Sequence, residues 1–131
     1  MKPETSDFLA RAAEDLADGR KIATLPLPKA TARCAYFAAF HAAEAFIFER
    51  SGKVAKTHSG VESEFSRLFR TVSGAEERLP RFLGETYVYK DISDYMAARR
   101  PAPSEAEAHE TLETAARFSD NIRGLLGDRD A

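Results

Sequence analysis

Arg33, His41 and Glu44 lie on one side of a stretch, Ala30 to Phe48, that is otherwise apolar nearly all round. At about 100° per residue, Arg33, Phe37, His41, Glu44 and Phe48 fall within roughly an 80° stripe of a helix. A helix apolar on every other side belongs in the middle of a bundle. Buried polar groups are costly unless partnered, so the stripe reads as an internal hydrogen-bond network or as one wall of a cleft. In a cleft, Arg33 and His41 could hold a nucleotide or an RNA phosphate.

A second concentration of basic groups follows. Arg50, Lys53, Lys56 and His58 fall within nine residues that hold no acid. Next to them, the start of a helix offers unpaired N–H groups and a partial positive charge, which together suit a phosphate. The plainer reading is a solvated loop whose lysines keep it soluble. Asp91 and Asp94, three apart, are a pair that could bind a cation, although such pairs are frequent on solvated helix faces. There is no phosphate-binding glycine loop, no Cys/His metal spacing and no nucleophile elbow. No cofactor and no metal site are therefore expected.

The elements that must position these groups read as helices. Phe8, Leu9, Ala12, Ala13 and Leu16 recur at helical spacing over Ser6–Asp18, with Gly19 as the expected stop. Pro26 and Pro28 make Ile22–Pro28 an extended connector, and Pro28 or Lys29 opens the second helix. Ser51-Gly52 ends it, and Lys53–Thr57 form a short loop. Ser59 with Glu62 predicts a capping box for a third helix, closed by Gly74. A fourth helix is expected from Leu79-Pro80 to about Ala98, with blurred periodicity. Ser104 with Glu107 repeats the capping box for a fifth, ending at Gly127. No strand alternation or internal repeat is present. An all-α antiparallel bundle of four to five helices follows, as a single domain over 1–131, with residues 1–5 and 127–131 expected to fray.

Composition narrows the function classes. The chain has 131 residues, 44% apolar and 31% charged, enough for one core without staples. A net charge of −2 gives no global pull towards nucleic acid or membrane, so such a contact needs a local patch. The single Cys34 excludes an internal disulfide and reads as a small core residue. No leader or membrane-spanning run is evident, which points to a cytoplasmic protein that does not contact membrane.

Three runs also carry a resemblance. Arg33-Cys34-Ala35-Tyr36-Phe37-Ala38-Ala39-Phe40-His41-Ala42-Ala43-Glu44-Ala45, then Lys56-Thr57-His58-Ser59-Gly60-Val61, then Ser93-Asp94-Tyr95 resemble, in order and spacing, the small prokaryotic branch of the HEPN family. The resemblance implies an all-α bundle, homodimerisation, and pairing with a minimal nucleotidyltransferase as a toxin–antitoxin or defence module. Several members of that family are metal-independent RNases that use an Arg followed a few residues on by a His.

At the matching place this chain reads Lys90-Asp91-Ile92-Ser93-Asp94-Tyr95. Lys lacks the planar fork that grips a phosphate, and an ionised Asp can only accept hydrogen bonds. Binding is therefore expected over catalysis. The alternative is an RNase with an atypical site, pairing Arg50 or Lys53 with His58, or Arg33 with His41. The expected binding cluster is Arg33, Tyr36, His41, Lys56, His58, Lys90, Asp94 and Tyr95, with Tyr36 or Tyr95 as a stacking face. The competing expectation is that His41 pairs with Asp94 or a Tyr hydroxyl simply to satisfy buried polarity.

Overall fold

The computed structural model describes residues 1–74, 76–90 and 102–127. Among these the chain forms α1 (Pro3–Ile22), α2 (Pro28–Ser51), α3 (His58–Phe69), α4 (Arg78–Thr86), a 3-10 turn (Tyr87–Lys90) and α5 (Glu105–Leu126), with no strand. This is the all-α bundle the sequence implies. Asp91, Asp94 and Tyr95, and the end of the expected fourth helix, lie outside the described residues.

Local signals set several boundaries. Pro28 opens α2, and Gly52, at φ 72°, terminates it in the left-handed conformation that glycine adopts without a side-chain penalty. The Ser104–Glu107 capping box is present: the Ser104 hydroxyl accepts from the Glu107 N–H, and the Glu107 carboxylate accepts from the Ser104 N–H.

Other boundaries differ. Gly19 does not stop α1, which runs on to Ile22. A Cβ at Gly19 would come 2.8 Å from Leu112 Cδ1 and 3.1 Å from Cys34 Cβ, so this glycine lets α1, α2 and α5 approach closely. The cap of α3 is Thr57, whose hydroxyl accepts from the Gly60 N–H, and not Ser59. Helix α3 ends at Phe69, leaving Gly74 in the following turn. The expected fourth helix breaks after Thr86, whose hydroxyl donates back to the Phe82 carbonyl as the chain tightens into the 3-10 turn.

Helix α2 is the axis of the molecule. Ala32, Ala35, Ala38, Ala39, Ala42, Ala43 and Ala45 are all fully buried, so α1 and α5 pack close against it. Phe46 and Phe65 lock α3 onto the same core with ring centroids 5.6 Å apart, and Phe118 of α5 stacks at 5.5 Å from Phe65. No described helix is long and apolar enough to cross a membrane.

Of residues 1–5, expected to fray, Lys2 and Thr5 are bonded to α2; residues 128–131, expected to fray at the other end, lie outside the described residues. The Lys2 backbone N–H and the buried Thr5 hydroxyl both donate to the Glu49 carboxylate at 2.9 Å, and Lys2 Nζ donates to the Glu49 carbonyl at 2.8 Å. The Lys2 N–H first, and then the Thr5 hydroxyl, hold the Glu49 carboxyl below its ordinary value of 4.5. A lowered carboxyl pKa adds stability that is present above the ordinary value and is lost as pH falls through the lowered one. Glu49→Gln should therefore lower Tm by a few degrees at pH 7. The gap from wild type should close as pH falls through the lowered carboxyl value; thermal melts that keep the same gap at neutral and acid pH would refute this.

Candidate functional site

Helix α2 buries every side but one, and the stripe seen in the sequence is that remaining side. Arg33 is exposed, while Phe37, His41, Glu44 and Phe48 are half-buried. The stripe is thus partly open to solvent while bearing side-chain contacts of its own, and α3 and the 3-10 turn both pack against α2.

At the N-terminal end of the stripe the geometry converges on Phe37. The Arg33 guanidinium carbon lies 4.6 Å from the centre of its ring, a cation–π pair, and Arg33 Nε donates to the Lys90 carbonyl at 3.2 Å. Lys90 Nζ lies 5.1 Å from the centre of Tyr87. The His58 imidazole is stacked on Phe40 at 4.3 Å and edge-on to Phe37 at 5.8 Å and to Tyr87 at 6.0 Å. Arg33, His58 and Lys90, from three separate elements, thereby surround one aromatic floor.

Two positions are not where a ligand could use them as expected. Tyr36 is 1% exposed, so it offers no open stacking face; its hydroxyl instead meets His58 Nδ1 at 2.8 Å. Burial pushes that hydroxyl well above its ordinary pKa and keeps it protonated. The half-exposed rings beside the cations are Phe37, which the stripe includes, and Tyr87, which was not singled out from sequence. Lys56 stands exposed on the loop, with no hydrogen bond or ion pair among the described residues. Lys53 is exposed as well, and Arg50 folds over the Phe46 ring at 4.9 Å, so the basic loop does not gather as a unit.

His41 meets two carboxylates and no tyrosine hydroxyl among the described residues, and the expected partner Asp94 lies outside them. The His41 Nδ1 lies 2.7 Å from Glu44 Oε1 on its own helix, and its Nε2 lies 3.6 Å from Asp15 Oδ2 on α1. Neither a tyrosine hydroxyl nor any other described residue replaces these carboxylates. The imidazole keeps 19% of its side-chain surface exposed, so it is clamped between acids yet open on one edge. Burial raises the Asp15 carboxyl, and the nearby His41 partly offsets that. Asp15 went unnoticed because only the antiparallel register of α1 on α2 brings it to His41.

His58 is held below its ordinary pKa, first by burial and then by the Lys90 ammonium, so the neutral imidazole is favoured at pH 7. Burial and then Asp15 push the Cys34 thiol up, which makes it a poor nucleophile. No three metal-ligating side chains converge among the described residues. A cleft of about 550 Å³ lies at the far end of α3, lined by Ser66, Phe69, Arg70, Glu77, Pro80 and Arg81 among others. It holds no histidine or cysteine, unlike the surface beside Phe37.

Comparison with known proteins gives two findings. The family model described as HEPN domain matches residues 5–125. No curated protein matches the chain.

Proposed function

We propose a function from the premise that the chain belongs to the HEPN family, whose model spans nearly all of it. In this reading it is a helical module of a bacterial toxin–antitoxin or defence system. It acts by forming a homodimer and by associating with a nucleotidyltransferase partner, and it receives the phosphate of a nucleotide or an RNA strand. The observation that carries the phosphate role is His58 lying between Phe37, which bears Arg33, and Tyr87, which bears the Lys90 ammonium. A guanidinium with its fork facing solvent suits a phosphate, and the half-exposed rings of Phe37 and Tyr87 suit the adjoining base.

A second reading, RNA cleavage without a metal, is favoured by one observation. His41 and His58 both lie about Phe37, with ring centroids 6.0 and 5.8 Å from it. Two imidazoles near one phosphate can take and return a proton.

One preparation tests both readings. Purified protein is examined by light scattering for its mass, and by fluorescence anisotropy with a short single-stranded RNA in the presence of a chelator. The binding reading expects a dimer that retains intact RNA. Cleavage lost in both His41→Ala and His58→Ala would move the assignment to the second reading. A monomer that neither binds nor cleaves RNA, and does not co-purify with a co-expressed nucleotidyltransferase, would remove both.

A further inference from the structure

We infer that Tyr36 is a positioning residue that holds neutral His58 in the tautomer protonated on Nε2, so that His58 meets a ligand as a hydrogen-bond donor. The ligand in this statement rests on the phosphate-receiving reading above; the tautomer rests on geometry alone.

The argument is an accounting of hydrogens. The Tyr36 hydroxyl lies in the core, and its hydrogen-bond partner among the described residues is His58 Nδ1 at 2.8 Å. Were Nδ1 to carry the proton, it would donate to Tyr36 Oη, and the phenolic hydrogen would be left buried with no acceptor. An orphaned buried donor is costlier than a spare lone pair on oxygen. The hydroxyl therefore donates to Nδ1, and the imidazole proton resides on Nε2. That atom points away from Tyr36, has no partner among the described residues and is not buried. The ring cannot easily turn to escape this arrangement, because Phe40 and Tyr36 stack on it at 4.3 and 5.8 Å.

His41 is set the opposite way. Glu44 is a carboxylate and can only accept, so His41 Nδ1 carries the hydrogen at 2.7 Å, while its Nε2 faces Asp15 Oδ2 at 3.6 Å. The two histidines thus differ: His58 turns a hydrogen outward, whereas both nitrogens of His41 face carboxylates. His109 supplies an internal reference, since its Nε2 lies 3.0 Å from the Ala23 carbonyl, which accepts only.

Nitrogen NMR of the ¹⁵N-histidine-labelled full chain, at a pH where the imidazoles are neutral, reads the tautomers directly. His58 and His109 are expected to show protonated Nε2, and His41 protonated Nδ1. Tyr36→Phe keeps the ring and removes the hydroxyl. In that variant His58 should become a mixture of both tautomers while His41 and His109 stay unchanged, and affinity for a short single-stranded RNA should fall about fivefold. A purely structural tyrosine would lower stability without moving a tautomer. Protonated Nδ1 on His58 in the wild type, or an unchanged His58 tautomer in Tyr36→Phe, overturns the inference. If the tautomers are as expected but neither inorganic phosphate nor RNA shifts the His58 nitrogens, the assignment stands and the phosphate reading falls.

Discussion

Phe46→Ala should lower the unfolding free energy by about 3–5 kcal/mol, a large part of the 5–15 kcal/mol common for a domain. Phe46 is fully buried, and its ring meets Phe65 at 5.6 Å and Phe69 at 5.7 Å, so it carries the join between α2 and α3. The Arg50 guanidinium also covers that ring at 4.9 Å. Truncation leaves a hole that the alanine-lined helix cannot fill, because its neighbours are already in close contact. Denaturant unfolding checks this, with a conservative Phe46→Leu variant expected to lose much less. A loss under about 1 kcal/mol for the alanine variant would show that α3 is not held by this contact.

The second large effect is on binding. Arg33→Glu should weaken affinity for single-stranded RNA by roughly 10- to 100-fold, because a hydrogen bond to a charged group is worth about 1.5–3 kcal/mol. The substituted carboxylate would face the phosphate that the guanidinium is proposed to hold. Arg33→Lys keeps the charge but loses both the planar fork and the stack on Phe37, so it should fall between the two. Because the contact is ionic, the wild-type affinity should drop steeply with salt, and Arg33→Glu should flatten that slope by about 0.7 for a single strand. Anisotropy titrations at two salt concentrations measure both quantities. An unchanged Kd and slope would place the nucleic acid elsewhere. Arg33 is exposed but covers Phe37 and bonds the Lys90 carbonyl, so a thermal melt of each variant separates fold loss from lost binding.

The parts of this architecture that were legible in the sequence are those set by neighbours along the chain. Pro28, Gly52, Ser104 with Glu107, and Gly127 each act within one helical turn, and each marks a boundary in the structure. The stripe on α2 was legible too, since periodicity alone puts Arg33, Phe37, His41, Glu44 and Phe48 on one side. Signals that depend on conformation were ambiguous. Thr57 and Ser59 are both capping residues by type, and the extended backbone of Thr57, at φ −129° and ψ 159°, decides between them. Gly19 reads as a stop by type, whereas its role is to let α1 lie against Leu112 and Cys34.

The site was legible as a set of residues but not as a set of pairs. Placing His58 under the Tyr36 hydroxyl requires α3 to fold back along α2, and placing Asp15 beside His41 requires the register of α1. Neither is encoded in local spacing. Tyr87 falls in the stretch of blurred periodicity expected as the fourth helix, and its ring meets His58 from the 3-10 turn that replaces it.

The close approach at Gly19 has a bearing well beyond its own surroundings. Arg33, Tyr36 and His41 are mounted on one stiff rod, so none can shift lengthwise without the others. A methyl group wedged in at Gly19 would press on Cys34, next to Arg33 on that rod. An endwise slip of a few tenths of an ångström would then shift the guanidinium, the Tyr36 hydroxyl and the His41 imidazole together against His58 on α3, although nothing at the wedge touches any of them.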